Sequence, residues 1–264
     1  MSSLIPKIHT TTNNIFSKQY TVRYSETGAN GRITCPNILN YFQDIATVHA
    51  GELGISALDL IQNGFAWVIY QIKLTVFEYS PWDTVLYLST WRSPHKKLYE
   101  LRSFEGKNEK GKILFTGKCA WVMIQIETKK PVRLNRFLSD DLLTNFIDIE
   151  KNFIDIQPPS SPNKKASRKV RMHHLDFNRH LNNVIYAQWA LESVPLNIQT
   201  TLMPSTIDIK YFGDAILNDE LQCLSQCIDF SEKPVFIHQV VNPEKKTELT
   251  RIQTQWEMFP YLPV

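Results

Sequence analysis

An α+β fold of two similar halves, each an antiparallel sheet wrapped around one central helix, is predicted by three features of this 264-residue chain. The first is an internal repeat. Val22-Arg-Tyr-Ser-Glu-Thr-Gly-Ala-Asn-Gly-Arg-Ile33 lines up with Val170-Arg-Met-His-His-Leu-Asp-Phe-Asn-Arg-His-Leu181 at one constant offset of 148, with Val, Arg and Asn recurring identically. The second is the pattern downstream of each copy: an apolar stretch at helical spacing, then runs with the two-residue alternation of strands. The third is the polar, proline-bearing stretch between them, which includes Gln157-Pro-Pro-Ser-Ser-Pro-Asn-Lys-Lys165 and has the composition of an exposed connector. The expected domains are therefore 1–150, a connector at 151–167, and 168–264.

Each half opens with a short strand and a loop. In the first, Pro36 suits an opening helical turn, and Ile38, Leu39, Tyr41, Phe42, Ile45 and Ala46 form one apolar stripe. In the second, Asn182 and Asn183 are N-cap candidates. Val184, Ile185, Ala187, Trp189, Ala190 and Leu191 then leave almost no polar face, so this helix should be enclosed by a sheet. Strands are expected where Tyr70, Ile72, Leu74 and Val76 alternate with Gln71, Lys73 and Thr75, and again at Ile207, Ile209 and Tyr211. Further strands should lie near 85–92, 98–105, 113–126, 220–228, 235–241 and 247–258. One buried helix per run of antiparallel strands, occurring twice, is the pattern of two tandem hotdog domains.

Composition narrows the function. Hydrophobic residues make up 43% and charged residues 21%, enough for a real core and unlike a disordered chain; 9 Gly and 14 Pro exclude a collagen-like repeat. The opening residues show no apolar signal region, and no apolar run reaches the roughly 18 residues of a membrane span, so a cytoplasmic protein with no membrane span is expected. Four cysteines without a C-x-x-C pair imply reduced thiols. A net charge of +3, with no recognition motif beside it, does not point to nucleic acid.

Gly106-Lys-Asn-Glu-Lys-Gly-Lys-Ile113 imitates a phosphate-binding loop, yet Ile113 stands where a hydroxyl residue belongs and no helix pattern comes after it; a charged hairpin turn explains it. Cys35 precedes a helix but lacks a paired histidine, so a buried thiol is expected. His173-His-Leu-Asp-Phe-Asn-Arg-His180 is the densest chemically able cluster. As a metal site it lacks a supporting Cys or a second histidine motif, and no metal or cofactor is expected. As plain structure, Asp176 and Asn178 would shape a loop and His180 would be a satisfied polar group. As a catalytic loop, it sets a carboxylate, an amide and an imidazole beside a helix N-terminus able to stabilise an oxyanion. The repeat favours the last reading: Asp176 faces Gly28 and His180 faces Arg32, while Asn178 faces Asn30, so the first copy lacks the reactive groups.

These residues resemble a known signature. Leu175-Asp-x-Asn-x-His-x-Asn-Asn-Val184, followed by Tyr186, Trp189 and Leu191-Glu-Ser193, is similar to that of plant-type acyl-acyl-carrier-protein thioesterases and their bacterial relatives. The likeness extends through Trp67-Val68, Pro81-Trp82-Asp83 and Trp121-Val-Met123, from about residue 20 to 258. Tyr24-Ser-Glu-Thr-Gly-Ala-Asn-Gly31 resembles the catalytic loop of small single-hotdog acyl-CoA thioesterases, with Gly28 in place of their aspartate. The resemblance implies a double hotdog that hydrolyses a fatty acyl thioester on acyl carrier protein and releases free fatty acid. It implies Asp176, Asn178 and His180 as catalytic, joined by a carboxylate on the strand after Tyr211. That position is Asp214, where plant members usually have glutamate, and their following cysteine is Ala215. Ala215 cannot attack a thioester, so water activated by carboxylate and imidazole is the expected route. The shorter aspartate must approach by about 1 Å more, for which a bulge at Gly213 would serve, and a carboxylate base should be sheltered from water.

Lys164, Lys165, Arg168, Lys169, Arg171 and Arg179 cluster around the connector and this loop, with Asp176 almost alone in opposing them. An acidic carrier protein would meet such a patch faster, and more weakly in salt. Trp67 is a candidate wall of the acyl pocket in the first half. The alternatives are an acyl-binding lipid sensor without catalysis, an acyl-CoA thioesterase or a hotdog dehydratase. Chain-length preference is not legible, and a homodimer is left open.

Overall fold

Thr34 keeps the backbone extended and Pro36 supplies a fixed φ in the first turn, so α1 (Cys35–Glu52) begins where the apolar stripe begins. In this computed structural model, which describes residues 15–96, 98–134 and 153–259, that helix belongs to the first of two units. The first unit comprises residues 1–72 and 80–152, the second 73–79 and 153–264.

In the first unit, β1 (Ile15–Thr21) precedes α1, and α2 (Ala57–Ile61) comes after it. Four strands complete the unit: β2 (Phe65–Val76), β3 (Val85–Lys96), β4 (Tyr99–Lys107) and β5 (Ile113–Gln125), the end of β2 reaching into the segment grouped with the second unit. The strand order is β1-β3-β4-β5-β2, with β3 antiparallel to β1 and β4, and β4 antiparallel to β5. Phe42 of α1 stacks on Phe104 of β4 at 4.3 Å and tilts against Phe115 of β5 at 6.0 Å, fixing the helix on the sheet. Gly106 sits opposite Phe115 in register, and a Cβ there would come 2.2 Å from that ring, so only glycine leaves the ring its place. The imitation phosphate loop is the β4–β5 turn: Asn108 Oδ1 accepts from the amides of Lys110 and Lys112, both at 3.0 Å, and Gly111 has φ 77°.

The second unit repeats the plan. Its strands are β6 (Lys164–Lys169), β7 (Met203–Tyr211), β8 (Glu220–Asp229), β9 (Val235–Asn242) and β10 (Thr247–Glu257), in the order β7-β10-β9-β8-β6, each running antiparallel to its neighbours in that order. Asn182 caps α3 (Asn183–Glu192), accepting from the Val184 amide at 2.9 Å. The helix packs against β8, β9 and β10 and buries Val184, Tyr186, Ala187, Trp189 and Ala190. The short α4 (Leu196–Thr201) leads from α3 toward β7. The final residues of the expected connector are strand β6, because their backbone pairs with β8 from Lys164 opposite Ser225 to Lys169 opposite Glu220. No helix among the described residues is long and apolar enough to cross a membrane.

Candidate functional site

The loop entering α3 is shaped by one carboxylate. Asp176 Oδ1 accepts from the amides of Asn178 at 2.8 Å and His180 at 3.1 Å, while its own amide donates to the His180 carbonyl at 2.8 Å. Such a side-chain-to-backbone turn is what a short acceptor side chain does best. Arg179 is carried into the left-handed region at φ 63°, and its amide donates to the Asp176 carbonyl at 3.0 Å. Asp176 is thus committed to the backbone of this loop, including the amide of His180.

The connection from β7 to β8 meets this loop. The amides of Phe212 and Gly213 both point at the Leu249 carbonyl, at 2.9 and 3.4 Å, so the chain leaves its strand register there. Asp214 therefore stands in a loop beyond β7, not on the strand where it was expected. The Leu181 amide then donates to the Ala215 carbonyl at 2.8 Å, and His180 forms an isolated bridge with Ile216. These bonds bring His180 Nε2 to 3.3 Å from Asp214 Oδ2. The expected shelter is absent: the Asp214 side chain is 63% exposed and that of His180 37%. Phe177, 78% exposed, and the exposed Met172 and Ile216 give the surroundings an apolar rim.

Asn178 is exposed, and its side-chain amide is bound by nothing among the described residues. In the first turn of α3, the Val184 amide is used by the cap and that of Ile185 by the Asn182 carbonyl. The Asn183 N–H, at the first helical position, has no intrahelical acceptor. Tyr186, which belongs to the resembled signature, is given surroundings only by the structure. Its buried hydroxyl lies at the Ala215 backbone, and burial, followed by the carboxylates of Asp214 and Asp219, pushes the phenol above its usual range.

The basic cluster divides. Arg168 pairs with Glu192 at 2.7 Å and Lys169 lies 3.9 Å from Glu220, so Asp176 is not the main opposing charge. Lys164, Lys165, Arg171 and Arg179 are exposed and form no ion pair among the described residues. In the first unit, Trp67 Nε1 donates to the Ile55 carbonyl at 3.0 Å and the ring packs on Leu53, Ile55, Leu60, Met123 and Leu134. All four cysteines are free and buried, and no group of three metal-ligating side chains converges among the described residues.

Comparison with known proteins adds the family. Residues 13–142 match the acyl-ACP thioesterase N-terminal domain, and residues 159–258 match the acyl-ACP thioesterase C-terminal domain. Among curated relatives, an acyl-[acyl-carrier-protein] hydrolase of Cuphea viscosissima is 23% identical over 254 residues, covering 90% of this chain and 60% of its own length. Oleoyl-acyl carrier protein thioesterase 2 of Arabidopsis thaliana is 25% identical over 229 residues, covering 80% and 62%. Both are described as chloroplastic, and the chain spans about three fifths of their length. Among solved structures, an acyl-ACP thioesterase from Bacteroides thetaiotaomicron superposes with a TM-score of 0.82 at 22% identity, covering 92% of this chain and 98% of that one. A 12:0-ACP thioesterase from Umbellularia californica gives 0.78 at 20% identity, covering 93% and 95%. The fold is shared with both.

Proposed function

Since this chain belongs to the acyl-acyl-carrier-protein thioesterase family, matched in both of its domains, we propose that it hydrolyses the thioester of a fatty acyl-acyl carrier protein. The products are free fatty acid and holo-carrier protein. The observation that carries this reading is the 3.3 Å approach of His180 Nε2 to Asp214 Oδ2 at a solvent-reached loop beside the start of α3. Asp214 orients the imidazole and offsets its charge; His180 takes a proton from water as the water oxygen attacks the thioester carbon. The oxyanion that forms is met by the Asn178 side-chain amide and the Asn183 N–H. Collapse breaks the carbon–sulfur bond, and the departing thiolate receives the proton from His180. Ala215 contributes no nucleophile, so no acyl-enzyme forms at that position.

Each unit is a hotdog in this reading, a view supported by one long helix on an antiparallel sheet in each and by backbone bonds that recur between their loops. Residues 1–150 form the degenerate hotdog, with an acyl pocket walled in part by Trp67. The catalytic one, expected at 168–264, begins already with β6 at Lys164, so the connector ends before that residue. Lys164, Lys165, Arg171 and Arg179 supply the charge for an acidic carrier protein.

Thiol release from dodecanoyl carrier protein and from dodecanoyl-CoA tests the proposal. The carrier-protein thioester is expected to be hydrolysed with the higher kcat/KM. A higher value on the CoA thioester would make the protein an acyl-CoA thioesterase. No thiol from either would leave the acyl-binding sensor.

A further inference from the structure

The interior of the N-terminal unit holds a guanidinium that no carboxylate pairs with among the described residues. Register places Arg92 of β3 opposite Arg102 of β4, and the two residues are 0% and 4% exposed. Like charges facing each other across neighbouring strands repel. Glu100, on the same face of β4, answers one of them, pairing with Nε and Nη2 of Arg92. Arg102 instead donates through Nη1 to His49 Nδ1 at 2.8 Å and reaches the Thr90 hydroxyl at 3.4 Å.

Glu100 acts on Arg102 through space without bonding to it, and neither His49 nor Thr90 carries negative charge. Burial first, then Arg102 and Arg92, push the His49 pKa down to about 3, so the ring is neutral. Cys119, opposite Arg102 on β5, is a thiol, because burial pushes its pKa above the usual range. Because His49 accepts at Nδ1, its hydrogen is on Nε2. That N–H and the remaining N–H groups of Arg102 meet no acceptor among the described residues. The cluster therefore consists of donors around a positive charge. Aromatic rings flank it: Phe16 stacks on His49 at 5.5 Å, and Phe104, two residues along β4 from Arg102, stacks on Phe42. The second unit shows the contrast. His238 engages Ser225 at 2.8 Å, Ser193 at 3.1 Å and Thr254 at 3.1 Å, which uses both ring nitrogens in a neutral network.

We propose that Arg102 and His49 form a carboxylate-binding site inside the N-terminal unit, for a ligand whose body is a hydrocarbon chain. The carboxylate has two sources. One is a free fatty acid, which goes beyond the hydrolytic reading; the other is an acyl group on its carrier with a second carboxylate at the far end, which rests on that reading.

Both arms are measured by calorimetry on the full chain carrying His180→Ala, which silences turnover. Dodecanoate is compared with dodecan-1-ol, and ω-carboxydodecanoyl carrier protein with dodecanoyl carrier protein. In at least one arm the carboxylate form should bind about tenfold tighter, and the arm that responds identifies the source. Arg102→Met should erase that preference and raise the ligand-free Tm, because it removes a buried charge that no carboxylate bonds directly. Arg102→Lys should keep part of the preference. The site is refuted if neither arm prefers the carboxylate, if Arg102→Met leaves the preference intact, or if it lowers the ligand-free Tm. The dodecanoate arm reads out even if the protein hydrolyses nothing, so the two proposals fail separately.

Discussion

In the loop before α1, the Gly28 amide donates to the Arg32 carbonyl at 2.9 Å; in the loop before α3, Asp176 does the same to His180 at 2.8 Å. Gly31 donates to Gly28 at 2.9 Å as Arg179 donates to Asp176 at 3.0 Å, and both donors are left-handed, at φ 70° and 63°. Ile33 donates to Ser80 at 2.9 Å as Leu181 donates to Ala215 at 2.8 Å. The two bonds within each loop therefore recur at the offset of the sequence repeat, the third recurs with its donor at that offset and its acceptor on another segment, and the side chains make the difference. Arg32 is buried where His180 is partly exposed. The residue before Ser80 is the buried Tyr79, whose hydroxyl donates to the Pro204 carbonyl at 2.5 Å, whereas the residue before Ala215 is Asp214. The comparison teaches that the loop skeleton is a scaffold, and that chemistry requires both the imidazole and the carboxylate opposite it.

The strongest way to break this contrast is to remove the pair. His180→Ala or Asp214→Asn should lower kcat/KM on dodecanoyl carrier protein by roughly 100- to 10,000-fold, with Tm unchanged. The reverse graft, Gly28→Asp with Arg32→His, should restore no thiol release in an Asp214→Asn background, because Tyr79 holds the position a carboxylate would need. Next in size, Asp176→Ala leaves the Asn178 and His180 amides without their acceptor, at a cost of about 1 kcal/mol per bond by denaturant unfolding, with a fall in kcat. Asp176→Asn keeps an acceptor and should recover most of both.

Two buried histidines sharpen the contrast through pH. Burial pushes His49 and His238 down to about 3 in the folded chain, from 6.5 when unfolded. The unfolded state binds the extra protons between those values, so this stabilisation is full above about pH 6.5 and lost as pH falls toward 3. Tm followed over that interval should decline, and less steeply in His238→Leu. The smallest effect concerns docking. Lys164→Glu with Lys165→Glu should raise KM for the carrier protein a few-fold at low salt and hardly at all at high salt. Arg168→Gln should do less, since Glu192 already answers that charge.

Both principal helices were legible because their signals are local: an apolar stripe, a proline in the first turn of α1 and an asparagine cap on α3. Strand β6 was not, because Lys164–Lys169 is polar on both faces and becomes a strand only by pairing with β8. The partners of Arg168 and Lys169 were hidden for the same reason: Glu192 and Glu220 are distant in sequence. Asp214 was legible by resemblance, but its place beyond β7 depends on the shared Leu249 carbonyl, which no local pattern announces. Arg102 reads in sequence as an ordinary strand charge; only the register opposite Arg92 reveals it as buried and without a directly bonded carboxylate.

A double-mutant cycle is the most direct measurement of whether His180 and Asp214 act as one unit: kcat/KM on dodecanoyl carrier protein for His180→Ala, Asp214→Asn and the two combined. If they work together, the combined variant is no slower than the slower single one. If the two losses multiply, each group acts independently, and the cooperation proposed for them does not exist.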